Sequence, residues 1–312
     1  MQTARNVLTP DALAMLQAIG NTGSFAAAAR ALGMVPSALT YRVRQIEDAL
    51  DVLLFDRSAR QARPTAAGQE LLNEATRLLG ELDAVANRVK RVATGWESQF
   101  TIAVDSIIAQ STVMDLCQHF LAQNPPTRIR LRDETLSGTL EALTSGQADL
   151  ALGVADLISN SRLAVRPLGE VQFVYAVAPQ HPLATASEPL SDEVLRAHRA
   201  VAVADSIGRG RGVTIGLLGG QDVLTVASMQ AKLDAQVRAL GCGSVPAGMA
   251  RSLIDSGLLV VKATTRPARV VRVNYAWRDT HPTPPGRAMQ WWLNALEQPA
   301  TRAALLTHQR GG

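Results

Sequence analysis

The sequence predicts an α/β protein in three parts: an N-terminal winged helix-turn-helix, a long linker helix and a larger α/β domain. Three observations predict it. Two short amphipathic patterns flank Gly33 near the start of the chain. A proline-free stretch with an apolar repeat of period 3.5 follows Pro64. From about Phe100 onward, short apolar runs alternate with amphipathic ones, the order of a sheet wrapped by helices.

The totals agree with this division. A chain of 312 residues has room for about two domains. With 47% hydrophobic and 19% charged residues it can bury a core, which excludes wholesale disorder. Aromatics at 4% point to aliphatic, alanine-rich packing. A net charge of +4 permits nucleic-acid binding without arguing for it. Cys117 and Cys242 fit no metal spacing and no disulfide framework, so they read as buried thiols. The N-terminus lacks a signal-type apolar run, and no stretch reaches the ~18 apolar residues of a membrane span. The expectation is a cytoplasmic protein with no membrane partner.

Thr9-Pro10-Asp11 suits a helix start: a cap, a first-position proline and an acid on the dipole. Leu13, Leu16 and Ile19 form the inner face, and Asn21-Thr22-Gly23 ends the helix. Ser24 caps a second helix with Phe25, Ala28, Ala29 and Leu32 inward. A third begins near Pro36, burying Leu39, Val43, Ile46 and Leu50 and presenting Ser37, Thr40, Tyr41 and Arg44. Read blandly, this is a small helical domain with a solvated polar face. Read sharply, it is a helix-turn-helix whose second helix enters a major groove. Leu53, Leu54 and Phe55 read as a buried strand, and Arg57, Arg60 and Arg63 as a wing that neutralises phosphates. Between residues 36 and 64, five arginines face four acids, so charge alone does not decide.

The run "NTGSFAAAARALGMVPSALTYRVRQIEDALDVLLFDRSARQARPTAAGQELL" resembles the DNA-binding region of LysR-type transcriptional regulators. Gly23-Ser24-Phe25, Ala28-Ala29, Leu32, Ser37-Ala38, Thr40, Ile46-Glu47, Leu54-Phe55-Asp56-Arg57 and Thr65-Ala66-Ala67-Gly68 carry the resemblance. It implies Ser37, Thr40, Tyr41 and Arg44 near bases, and Arg42, Arg57, Arg60 and Arg63 nearer phosphates. Arg57 is equally placed to pair with a neighbouring acid. Pro36 stands where family members often carry a glutamine, which removes one base-reading amide and leaves operator preference open.

Leu71, Ala75, Leu78, Leu82, Val85 and Val89 are spaced 4, 3, 4, 3 and 4 apart, an a/d seam. Such a seam packs either on the protein's own body or on a second copy. The resemblance implies the second use: a homodimer, itself paired into a homotetramer, with two reading heads on a pseudo-palindromic operator. Ala75 and Gly80 either let the helices approach or weaken the middle of the helix.

In the larger domain, strands are expected at 100–104, 129–131, 150–154, 173–177, 201–204, 223–226, 258–261 and 270–277, in a parallel sheet. Ligands bind beyond the carboxyl ends of such strands. Those ends supply Asp105, Ser106, Glu134, Thr135, Ala155, Asp205, Ser206 and Ser228. A serine there is either a simple helix cap or part of an anion site. The acids beside the serines leave the ligand's charge open.

This layout resembles the co-inducer domain of the same family, two α/β lobes around a cleft as in periplasmic binding proteins. The resemblance implies a small-molecule effector between the lobes. The expected boundaries are 1–65 for the DNA-binding domain, 66–92 for the linker helix, 93–98 for a hinge and 99–298 for the effector domain. Lobe 1 takes 99–157 and 264–298, lobe 2 takes 158–263, and 299–312 form a tail. "GRGRG" at 208–212 has the wrong spacing for a dinucleotide site; it is a loop, or a place where Arg209 or Arg211 meets an anion or a second subunit. The five histidines show no ligand spacing, so neither cofactor nor metal is implied. The functional expectation is a ligand-responsive, double-stranded-DNA-binding regulator and not an enzyme. A solute-binding protein lacks its export signal here, and an α/β enzyme lacks a G-x-S-x-G elbow or a P-loop.

Overall fold

The computed structural model describes residues 3–56, 62–155, 163–207, 215–279 and 284–307. The chain forms two units, Met1–Val89 and Lys90–Gly312. In the first, a single turn, α1 (Ala4–Val7), precedes α2 (Pro10–Thr22). Thr9 Oγ1 accepts from the Ala12 amide at 3.3 Å and Pro10 opens α2, as the capping chemistry requires. Ser24 caps α3 (Phe25–Ala31) in the same way. Ala28 and Ala29 are fully buried, so α3 lies close against its neighbours. Helix α4 (Pro36–Leu50) buries Leu39, Val43 and Ile46 in the same core.

Two expectations in this unit need correction. Leu32 is 40% exposed, because it lies one residue past the end of α3 and leaves that helix's inner face. The strand expected at 53–55 is only β1 (Phe55–Asp56), paired antiparallel with β2 (Arg63–Pro64). Leu53 is exposed while Leu54 and Phe55 are buried.

Thr65 then starts α5 (Ala66–Thr94), accepting from the Gly68 amide at 3.0 Å and donating to the Leu53 carbonyl at 2.7 Å. A Cβ at position 68 would sit 1.9 Å from the Leu54 carbonyl oxygen, so only glycine lets α5 lie this close to the strand.

The second unit is built on β3 (Gln99–Asp105), α6 (Gln110–Leu121), β4 (Arg128–Glu134), α7 (Gly138–Thr144), β5 (Leu150–Ala155) and β6 (Leu163–Val177). After it come α8 (Asp192–Arg196), β7 (Ala200–Val203), β8 (Val223–Val226), α9 (Met229–Val237), β9 (Gly243–Pro246), α10 (Ala247–Asp255) and β10 (Val260–Lys262). β11 (Val270–Arg278), α11 (Arg287–Glu297) and α12 (Pro299–Thr307) complete it. The sheet order is β10-β6-β11-β5-β3-β4, with β9 also on β6 and a separate parallel pair β7-β8.

Strands β4, β3 and β5 are parallel, but β11 runs antiparallel to both β5 and β6, so the sheet is mixed rather than parallel. An antiparallel strand needs no crossover helix, which suits a chain returning from the far lobe. β6 is shared: Leu163 to Gln172 pair with β11, and Phe173 to Val177 pair with β9 and β10. The core centres on Phe100, Phe120, Tyr275 and Trp292, with Phe100 stacked on Trp292 at 6.4 Å.

Residues 93–98 are tied down rather than loose. The Gly95 carbonyl accepts from the Arg287 amide at 2.9 Å. The buried Glu97 carboxylate accepts from the Ala288 amide at 3.0 Å and so caps α11. The expected tail begins with α12, whose Leu305 is fully buried and whose Leu305 carbonyl accepts from the Ala109 amide at 2.9 Å.

Candidate nucleic-acid interface and ligand cleft

Helix α4 presents one stripe outward. Ser37, Arg42 and Arg44 are exposed, and Tyr41 is 63% exposed despite its large ring. Thr40 is half-buried and donates to the Pro36 carbonyl at 2.9 Å, which leaves its oxygen able to accept. Pro36 occupies the first helical position and offers no N–H there. Arg63 is exposed on β2 at the base of the wing. Arg57 and Arg60 lie outside the described residues. The exposed Asp48 lies eleven residues beyond Ser37, about 16 Å along the helix, but only one turn beyond Arg44.

Glu47, part of the Ile46-Glu47 pair in the family pattern, has a structural role. It is 6% exposed and accepts from the Leu54 amide at 2.9 Å and the Phe55 amide at 3.4 Å. Hydrogen bonds to a charged group each contribute about 1.5–3 kcal/mol. They fix the approach of the wing strand to α4.

The seam on α5 divides into two. Ala75 is fully buried, and Leu71 and Leu72 pack on the core of the first unit. Gln17 Nε2 donates to Thr76 Oγ1 at 2.6 Å on the same side. At this end of the expected dimer seam, Ala75 is thus buried within the single chain and Leu71 partly so, with α2 alongside. Leu78, Leu82, Val85 and Val89 are 39%, 47%, 45% and 66% exposed, an uncovered apolar strip on a solvent-facing helix.

In the second unit, six of the eight strand-end residues expected at a ligand site come together. The Thr135 amide donates to Ser206 Oγ at 3.0 Å, and Ser206 Oγ donates to the Thr135 carbonyl at 3.1 Å. Thr135 Oγ1 donates to the Ala204 carbonyl at 2.6 Å, and Ser137 Oγ donates to the Asp205 carboxylate. These bonds join the segment after β4 to the loop after β7, lobe to lobe.

Gly138 makes the approach possible: a Cβ there would lie 1.7 Å from Ser206 Oγ. The buried Asp105 accepts from the Ile107 amide at 3.0 Å and from Thr139 Oγ1 at 3.1 Å. Burial pushes its carboxyl up to about 7, and the Asp205 charge adds to that rise. Glu134 is bound by Arg132 through two nitrogens, at 3.0 and 2.8 Å. Ser106 stands at the rim, its amide bonded to the Glu134 carbonyl at 2.9 Å.

Two expected members are not part of this junction. Ala155 is exposed at the end of β5, and Ser228 accepts from the Ala231 amide at 3.2 Å as the cap of α9. The loop 208–212 lies outside the described residues. A cavity that no sequence pattern indicated, about 730 Å³, lies between β6, β7, β9, β10 and residues 264–270. Among the described residues no helix is long and apolar enough to cross a membrane, and no group of three His, Cys, Asp or Glu side chains could hold a metal.

Residues 10–69 match the family described as bacterial regulatory helix-turn-helix protein, lysR family. Residues 93–300 match the LysR substrate binding domain. YeeY, an HTH-type transcriptional regulator of Escherichia coli strain K12, is 34% identical over 287 residues, 92% of this chain and 92% of that protein. YhaJ of the same strain, a probable HTH-type transcriptional regulator, is 34% identical over 93% of this chain and 96% of its own length. Among solved structures, CbnR, a LysR family transcriptional regulator, superposes with a TM-score of 0.59 at 17% identity, covering 94% of this chain and 99% of that one. AphB, a virulence activator of Vibrio cholerae, gives a TM-score of 0.55 at 18% identity over 93% and 99%.

Proposed function

We propose, from the premise that this chain belongs to the LysR family of bacterial helix-turn-helix regulators, how its own residues divide the work of ligand-responsive, DNA-binding transcriptional control. Ser37, Thr40, Tyr41 and Arg44 meet base edges in the major groove. Arg42 and Arg63, with Arg57 and Arg60, meet phosphates and set affinity rather than sequence choice. Leu78, Leu82, Val85 and Val89 hold two copies together, so that two reading heads meet two half-sites; pairs of dimers form tetramers. The small-molecule effector binds at the junction of Asp105, Ser106, Glu134, Thr135, Asp205 and Ser206. There it replaces the Thr135–Ser206 bonds and shifts the balance of lobe arrangements, and DNA affinity and ligand affinity change reciprocally. The protein acts in the cytoplasm and turns over no substrate.

The observation that carries the reading is the outward stripe of α4, where a 63% exposed tyrosine stands beside unshielded arginines on a helix whose other face is core. Footprinting on promoter fragments selected by the protein itself tests it. Arg44→Ala should weaken binding about 10- to 100-fold, the cost of one bidentate base contact, and relax preference at one position of each half-site. Equal footprints from wild type and Arg44→Ala would remove α4 as the reader.

A further inference from the structure

The cavity between β6, β7, β9, β10 and residues 264–270 has a one-sided chemistry. Four basic side chains line it, Lys232, Lys262, Arg266 and Arg269, and among the described residues no carboxylate does. Lys262 and Arg266 are matched from outside its wall. Lys262 Nζ meets Glu188 at 2.7 Å and the Ala184 and Ala186 carbonyls at 3.2 and 3.0 Å. Arg266 is held by both oxygens of Asp192, at 2.6 and 2.9 Å. Arg269 lies over the Phe173 ring, 4.8 Å from its centroid.

Lys232 is different. It is 8% exposed and makes no hydrogen bond or ion pair with any described residue. Its Nζ lies so close to Gly243 that a Cβ there would be 3.2 Å away. Burial, and then the charge of Arg269, push it down to about 8. A buried ammonium with no counter-charge is expensive to keep. The chain has only three lysines, and two of them line this cavity. The rest of the wall is largely apolar, with Phe173, Ile215, Leu218 and Val261 among its members and Tyr175 and Ser244 as polar points.

We propose that this cavity is a second ligand site, separate from the junction of the lobes, that takes a small organic acid whose carboxylate meets Lys232 and Arg269 and whose apolar body lies on Phe173 and Ile215. The carboxylate supplies the charge that the wall lacks. The volume is that of a usual small-molecule site. The site shares no residue with the proposed effector junction, so either can fail without the other. Residues 264–270, which form one of its walls, lead into β11, which pairs with both β5 and β6.

Thermal melting of the full chain tests the assignment, with benzoate, hexanoate and inorganic phosphate as probes. Benzoate or hexanoate at about 10 mM should raise the midpoint by about 3–5 °C. In Lys232→Met the rise should vanish, while the midpoint without probe stays level or increases because an uncompensated charge has gone. Lys232→Arg should keep part of the rise. No rise in the wild type, or an equal rise in Lys232→Met, overturns the proposal. A Lys232-dependent rise with phosphate alone overturns the organic-acid assignment. If Lys232→Met does not fold, the wild type decides: acetylation with an amine-directed reagent, read by peptide mass spectrometry, should slow at Lys232 about fivefold or more in benzoate, relative to Lys90. Unchanged acetylation counts against the site.

Discussion

At Asp105, burial raises the carboxyl to about 7 against the pull of the Ile107 amide and the Thr139 hydroxyl. The folded chain therefore holds this proton more tightly than the unfolded chain, whose aspartate titrates near 3.8. Between those values the native state binds more protons, so stability falls as pH rises from about 4 to about 7 and stays low above that. The loss is at most on the order of 4 kcal/mol. Asp105→Asn should flatten this slope, with a higher midpoint than wild type at pH ~8 and little difference at pH ~4. Parallel melting curves for the two proteins across that range would show that Asp105 does not titrate there. The stripe of Ser37, Tyr41 and Arg44 was readable because helical spacing alone puts those residues on one side. Glu47 was not, because its role depends on amides seven and eight residues further on, brought back by a turn. Lys232 gave no signal either: its isolation is a property of the cavity, not of its neighbours in the chain.

The long helix α5 shows what a repeat can and cannot say about an element. The 3.5-residue spacing predicts an apolar seam, and the seam exists from Leu71 to Val89. What covers it is a tertiary matter: Ala75 is buried within the chain, while Leu82 and Val89 are exposed. Leu82→Glu places a charge in that open strip. We expect it to shift the protein toward monomer in size-exclusion with light scattering, and to cut operator affinity steeply through loss of the linked second head. An unchanged mass would mean that another surface joins the copies. Helix α12 escaped sequence reading because it is only nine residues long, opens on Pro299 and carries a weak apolar period. The antiparallel direction of β11 escaped it for another reason: apolar runs carry no record of strand polarity.

For the molecule as a whole, the division into a reading head and a ligand-responsive unit was legible because helical and strand periods change near Phe100. The cleft was half legible: strand ends named the junction, but only the fold decides that Thr135 faces Ser206 and that Ala155 and Ser228 stand aside. Within the ligand-responsive unit, β6 is one unbroken strand with a different partner set at each end. A linker would let the lobes drift apart; a continuous ladder works as a torsion bar, so a ligand gripping one lobe must twist the other. The amides between Leu168 and Gln172 lie at the changeover of partners, where that twist concentrates. Hydrogen–deuterium exchange there should change when the effector binds, although no ligand touches those residues. Exchange that stays constant at the changeover while the cleft becomes protected would mean that the two halves move independently.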